Sequence, residues 1–322
     1  MARNLYVDVE QLMQGGLQLP LPDVLPFSDS FCLFYSSSFN LIYGDTESGK
    51  TWLCLAAVTS VLNEGGTATI IDLDHNGAPA LIGNLIKLGV DAETLKEPRR
   101  FRLSEPGDRM DLLEVVQDQA VAKPDLVILD SLGEILPLFR ANSNSADDFT
   151  TVHAEVIKPL TRHGASVLVV DHLAKNADSR SFGPTGTAAK LRATDGIAVR
   201  VDAERQFTPG EGGTAKLQVQ KDRYGGVRSN YPSNSKPVIG TFELVADGDA
   251  LGYIFHSSQT VSLADSASDD KARLADDVAK LRNLFTTKPT VRQAREALKP
   301  CAQGRALRAV QAFSDAQDEA VA

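Results

Sequence analysis

The run Gly44-Asp45-Thr46-Glu47-Ser48-Gly49-Lys50-Thr51, followed by Trp52, has the glycine, lysine and hydroxyl spacing of a phosphate-binding loop. An apolar run precedes it and an apolar helical pattern follows. Glycines let the backbone curl so that successive N–H groups face phosphate oxygens, and a helix N-terminus adds a favourable partial charge. Lys50 is expected to reach the β- and γ-phosphates of a nucleotide and the Thr51 hydroxyl to bind Mg²⁺. Three more polar groups end apolar runs. Asp130 closes Leu126–Leu129 and would orient Mg²⁺ through its water shell. Asp74 follows Ile70-Ile71-Asp72-Leu73 and could polarise an attacking water. It is preferred to Asp72 because Leu73 should point inward and leave Asp74 at the strand end. His172 closes Val167–Asp171, where a neutral imidazole could donate one hydrogen bond to a γ-phosphate. Each has a plainer reading: a strand-end Asp is often a cap, and a lone His is often structural. Their order behind the glycine-rich loop favours the chemical one.

These groups need strands to carry them. Apolar runs at Phe39–Tyr43, Ala68–Leu73, Leu126–Leu129, Ser166–Val170 and Gly196–Val201 suit strands covered on both faces. Helical patterns lie between them at Thr51–Leu62, Ala78–Lys87, Met110–Ala122 and Phe149–His163, which is the alternation of an α/β fold with a mainly parallel central sheet. Lys216–Gln220, Val238–Val245 and Gly252–His256 then alternate between glycine-rich turns and predict antiparallel strands extending that sheet. The expected organisation is an N-terminal arm over 1–38, a core over 39–256, a linker over 257–270 and a small helical tail over 271–322. Thr290 is the expected N-cap of the tail's middle helix.

Composition narrows the classes. The chain has 322 residues, 43% hydrophobic and 23% charged, which is globular composition and not that of a disordered chain. No apolar run nears the roughly 20 residues that span a bilayer, so no membrane partner is expected. Asp8 and Glu10 stand where a signal peptide would be basic and then apolar, and three distant cysteines fit neither a disulfide framework nor a zinc site. A cytoplasmic protein of a bacterial or phage-infected cell is expected. A net charge of −9 and 6% aromatics argue against a surface basic throughout or a broad base-stacking platform, but leave room for local basic loops.

The ordered set of glycine-rich loop, Ile-Asp-Leu-Asp-His, Ile-Leu-Asp-Ser and Val-Asp-His resembles the RecA-like P-loop ATPase core over about residues 30–256. It is most similar to the RepA- and DnaB-like hexameric helicase branch and to RecA-like AAA-family ATPases of phages and actinobacteria. One departure is Asp74, where the family usually has Glu. The resemblance implies ATP and Mg²⁺ as ligands and a homo-oligomeric ring. It also implies that Lys221 and Arg223 reach the neighbouring copy's γ-phosphate, Arg223 as arginine finger. It further implies single-stranded DNA contact by two loops: Gly133–Asp148 with Arg140, and Leu173–Lys190 with Lys175, Arg180 and Lys190. The tail resembles a helix-turn-helix or winged helix and equally suits oligomerisation or docking. The expected function is an ATP-hydrolysing, single-strand-binding ring in DNA replication or recombination, as helicase or translocase. Alternatives are a RecA-core recombination or annealing ATPase, or a low-turnover regulatory or assembly factor docked on DNA. With only about 38 residues ahead of the first core strand, a replicative helicase of this kind would need partners for loading and priming.

Overall fold

The computed structural model describes residues 8–14, 17, 19–28, 31–173, 183–231, 236–258, 265–298, 306 and 308–313. Helix α1 (Val9–Gln14) precedes an antiparallel pair, β1 (Val24–Pro26) and β2 (Cys32–Phe34). Then come β3 (Phe39–Gly44), α2 (Lys50–Asn63), β4 (Ala68–Asp72), α3 (Ala78–Lys87), α4 (Ala92–Lys96) and β5 (Phe101–Ser104). They lead into α5 (Arg109–Ala122), β6 (Leu126–Asp130), α6 (Leu132–Leu138), α7 (Ala146–Val152) and, after a π-helical turn at His153–Ile157, α8 (Lys158–Thr161). The chain continues with β7 (Ser166–His172), α9 (Ala189–Ala193), β8 (Ile197–Thr208), β9 (Gly212–Asp222), β10 (Val238–Asp247) and β11 (Ala250–Ser257). Helices α10 (Asp265–Leu284) and α11 (Val291–Ala297) form the tail.

One nine-stranded sheet runs in the order β11-β10-β9-β8-β3-β7-β6-β4-β5. The strands from β8 to β5 are parallel, and β9, β10 and β11 add on as an antiparallel meander. Strands β3, β4 and β6 are buried at every residue, because their continuous apolar runs must be covered on both faces. One core lies between the sheet and α2, α3 and the β1–β2 pair, the other between the sheet and α5 to α8. Order reverses beside β3, whose neighbours β7 and β8 come much later in the chain, and such a switch point gathers loops into a crevice at the strands' carboxyl ends.

The predicted architecture is the observed one, with four differences in detail. The core starts earlier than residue 39, since Leu25, Phe27, Leu33, Phe34 and Tyr35 are buried in it. Strand β8 runs on to Thr208, well past the expected Val201. The stretch 133–148 is not one loop: Ile135 and Leu136 anchor α6 in the core, and α7 starts at Ala146 with Ser145 as its cap. Part of the expected linker is helix, because α10 starts at Asp265. The tail has its own small core of Leu281, Ala294, Leu298, Ala306, Ala309, Val310 and Phe313. Thr290 caps α11 as expected, in a reciprocal capping box with Gln293.

Candidate nucleotide site

The loop between β3 and α2 is shaped by two glycines that nothing larger could replace. Gly49 adopts φ +95°, and a Cβ on it would lie 2.3 Å from the Phe207 ring. A Cβ on Gly44 would lie 2.2 Å from the Val201 carbonyl oxygen. The loop therefore packs against β8 with no space to spare. Glu47 also accepts a hydrogen bond from Gln206 of that strand, 3.0 Å. Lys50 is buried, and its ammonium donates to the carbonyls of Gly44 and Asp45. Burial pulls the Lys50 pKa down, against the Asp130 and Asp74 carboxylates that pull it up. The Ser48 hydroxyl is buried with no partner, a spare donor facing into the loop's own fold. Trp52 is half-buried against the core, while Thr46 and Glu47 are exposed.

The carboxylates collect at the ends of β4 and β6. Asp130 accepts from the Thr51 hydroxyl at 3.0 Å and from Asn76 at 3.3 Å. Its pKa is pushed up to about 6, chiefly by burial and further by the charges of Asp74 and Asp72, while the Thr51 hydroxyl and Lys50 hold it down. Asp72 is buried and accepts from Asn76 and from the Gly77 amide, so it shapes the turn after β4. Asp74 contacts a different set of residues. It accepts from the Ser131 hydroxyl at 3.1 Å and lies 3.6 Å from His172 Nε2. His172 holds the Asp74 carboxyl below its usual range, with Ser131 assisting and burial opposing. Asp74 in turn raises the His172 pKa against the cost of burial, and His172 Nδ1 is buried without a partner. Lys50, Thr51, Asp74, Asp130 and His172 are thus brought to one crevice. Asn76 and Ser131 belong with them and were not singled out in the sequence. The Asn-Gly pair at 76–77, four residues past Asp72, is the signal that could have found Asn76.

This donor set suits a nucleotide with a hard divalent cation. The loop's tightness at Gly44 and Gly49, the unpartnered Ser48 hydroxyl and the meeting of Thr51 with Asp130 all fit phosphate and Mg²⁺, a metal that takes one or two protein oxygens and keeps waters.

The family model of the RecA N-terminal domain matches residues 37–171, from just before β3 to the end of β7. Over that stretch the chain is similar to the RecA N-terminal domain, and its fold is RecA-like. Protein RecA of Mesomycoplasma hyopneumoniae is 25% identical over 196 residues, covering 56% of this chain and 56% of that one. Protein RecA of Picosynechococcus is 28% identical over 198 residues, covering 56% and 54%. The chain thus spans little more than half the length of the curated relatives it matches. Among solved structures, a KaiC-like protein from Pyrococcus horikoshii superposes with a TM-score of 0.52 at 13% identity, over 74% of this chain and all of that one, which speaks to the fold.

Outside the crevice, the RecA-like core treats the remaining expected site residues differently. Arg140 is exposed and takes φ +52° just past α6. Lys175 and Arg180 lie outside the described residues. Lys190 is not a surface cation: its ammonium is buried, 2.7 Å from the buried Asp171 carboxylate, so the expected contact with DNA phosphates is corrected to a core ion pair. Burial pushes the Asp171 carboxyl up, and Lys190 opposes it. Lys221 does not project either. Its ammonium donates to the carbonyls of Leu191, Arg192 and Thr194 at 2.8, 2.9 and 2.6 Å, which uses all three protons to close the end of α9. The expected reach of Lys221 to a neighbour's phosphate is corrected accordingly. Arg223, two residues on, is exposed, and its guanidinium has no partner among the described residues. No described helix is long and apolar enough to cross a membrane.

Proposed function

We propose that this chain is an ATPase that binds ATP with Mg²⁺ in the crevice at the ends of β3, β4, β6 and β7 and hydrolyses it within an assembly of its own copies. The convergence of Lys50, Thr51, Asp130 and Asp74 carries the reading. Lys50 and the loop amides would hold the phosphates, and Thr51 and Asp130 would hold Mg²⁺, which spreads the charge developing on the transferred phosphoryl group. Asp74, with its pKa held down, is a weak base. Its part is to orient the attacking water, with Ser131 and His172 fixing the carboxylate. Arg223 of an adjacent copy would complete the site in trans, so that turnover depends on assembly. A ring, with six copies as its expected size, would pass single-stranded DNA along the exposed Arg140 and the segment bearing Lys175 and Arg180. Such contacts follow the backbone and weaken steeply with salt. Work on DNA as a helicase or translocase in replication or recombination is the fuller form of this proposal. A second form is a RecA-core recombination or annealing ATPase that pairs strands without unwinding.

Phosphate release measured with and without single-stranded DNA tests the core claim. The expected result is turnover stimulated by DNA and abolished by Lys50→Ala, which also loses nucleotide binding. Nucleotide binding unaffected by Lys50→Ala would overturn it. A forked duplex then separates unwinding from pairing.

A further inference from the structure

The turn after β9 holds an acidic residue between its two cations, and that residue is the most heavily bonded side chain in the segment. Asp222 is 6% exposed and accepts four hydrogen bonds: from Tyr35 Oη at 2.7 Å and from the amides of Gly225, Val227 and Arg228 at 3.0, 3.0 and 2.8 Å. Tyr35 Oη also accepts from the Gly226 amide, 2.9 Å, and Tyr35 is wholly buried. Gly226 is a glycine by necessity here, because a Cβ on it would lie 2.6 Å from Pro22 and 2.9 Å from Tyr35 Oη. The backbone on either side of Arg223 is fastened as well. The Arg223 amide donates to the Gly196 carbonyl, and Lys221 is spent on the end of α9. The backbone of the segment is held by Asp222 and Tyr35, while the Arg223 guanidinium is exposed and has no partner among the described residues.

A carboxylate that collects three backbone amides and a phenol fixes its turn much as an N-cap fixes a helix end, and does so more strongly because the acceptor is charged and buried. Solubility of Arg223 alone does not call for such a device, since an exposed Arg on a loose turn would serve. A group that must enter another copy's site in one geometry does need it, because ordering a mobile turn at the moment of reaction would be subtracted from the stabilisation it supplies. We propose that Asp222, locked by Tyr35, is the positioning residue that aims Arg223 at the nucleotide of the adjacent copy. The inference rests on the proposed trans role of Arg223.

Mixed assemblies test both claims separately. A Lys50→Ala copy has an intact turn but no phosphate grip, and an Arg223→Ala copy has the reverse, so each alone is inactive. Mixing them pairs a whole turn with a whole site at some interfaces, and phosphate release is expected to return. Absence of any rescue would sink the trans reading itself. With rescue in hand, the donor copy is replaced by Lys50→Ala carrying Asp222→Asn or Tyr35→Phe. Asparagine loses one acceptor oxygen, and phenylalanine loses the donor to Asp222 together with the acceptor of the Gly226 amide. Rescue by the Asp222→Asn donor should fall on the order of 10²-fold in kcat with the KM for ATP unchanged. Rescue by the gentler Tyr35→Phe donor should fall less, in the same direction. Co-assembly, followed by energy transfer between labelled copies, should stay as before. Full rescue by the Tyr35→Phe donor, or a fall in rescue matched by an equal fall in co-assembly, would overturn the positioning role. Should Asp222→Asn fail to fold, Tyr35→Phe decides the matter alone.

Discussion

The crevice at the ends of the parallel strands and the turn at the end of β9 are both rich in charge, yet they are built on opposite plans. In the crevice each polar side chain faces another from the same chain: Thr51 and Asn76 face Asp130, Ser131 and His172 face Asp74, and Lys50 lies under the field of two carboxylates. In the Lys221–Arg228 turn, Asp222 and Lys221 bind backbone groups of the same chain, and the exposed Arg223 guanidinium has no partner among the described residues. On the proposed reading, the first region receives a ligand and the second is delivered to another copy, so that each chain would hold half of each of two sites.

The sharpest way to break this contrast is Arg223→Ala. Turnover in the assembled protein should drop about 10³-fold or more while the affinity for nucleotide stays put, as a calorimetric titration beside a phosphate-release assay would show. A loss of binding instead would make Arg223 part of its own crevice. Next in size is Lys190→Met, which strands the buried Asp171 carboxylate beside His172 and should cost about 3–5 kcal/mol in urea unfolding. The double change Asp171→Leu with Lys190→Met should recover most of that, and an unchanged midpoint in the single variant would return Lys190 to the surface. Lys221→Ala should be milder, about 1–2 kcal/mol, since the side chain is partly exposed, with faster amide exchange over 189–194 as its signature. Smallest is the His172–Asp74 pair. The raised His172 pKa stabilises the fold below the ordinary imidazole value of 6.5 and is lost as pH rises through the folded value. The lowered Asp74 pKa stabilises above the ordinary carboxylate value of 3.8 and is lost as pH falls through the folded one. Both operate between those ordinary values, so the Tm difference between the parent and His172→Gln should be largest between pH 3.8 and 6.5 and shrink as pH rises through the folded His172 value.

How far the sequence could be read depended on whether a residue's partner was local. The strands β3, β4, β6 and β7 were legible because burial on both faces forces unbroken apolar runs, and Thr290 because its partner Gln293 is three residues away. The residues that meet in the crevice, Lys50, Thr51, Asp74, Asp130 and His172, could be picked out as an ordered series of strand ends behind the glycine-rich loop. Strand β5 was not, because Phe101–Ser104 is short and only Phe101 is buried. The far half of β8, Ala203–Thr208, is largely exposed and polar and lacks any apolar signal. Helix α6 contains Pro137, which reads as a break, and the helix ends one residue beyond it. Lys190 and Lys221 looked like surface cations because their partners, Asp171 and the end of α9, are set by the fold and not by neighbours in sequence.

The unexpected length of β8 has a mechanical corollary. Its distal residues Gln206 and Phe207 lean over the glycine-rich loop, one bonded to Glu47 and the other filling the space a side chain on residue 49 would need. The same strand turns at Gly210–Gly213 into β9, whose other end carries Arg223. The β8–β9 hairpin therefore touches the glycine-rich loop near its turn and carries Arg223 at its opposite end. On the proposed reading, a tilt of that hairpin would be felt both at its own nucleotide and at the neighbouring copy's.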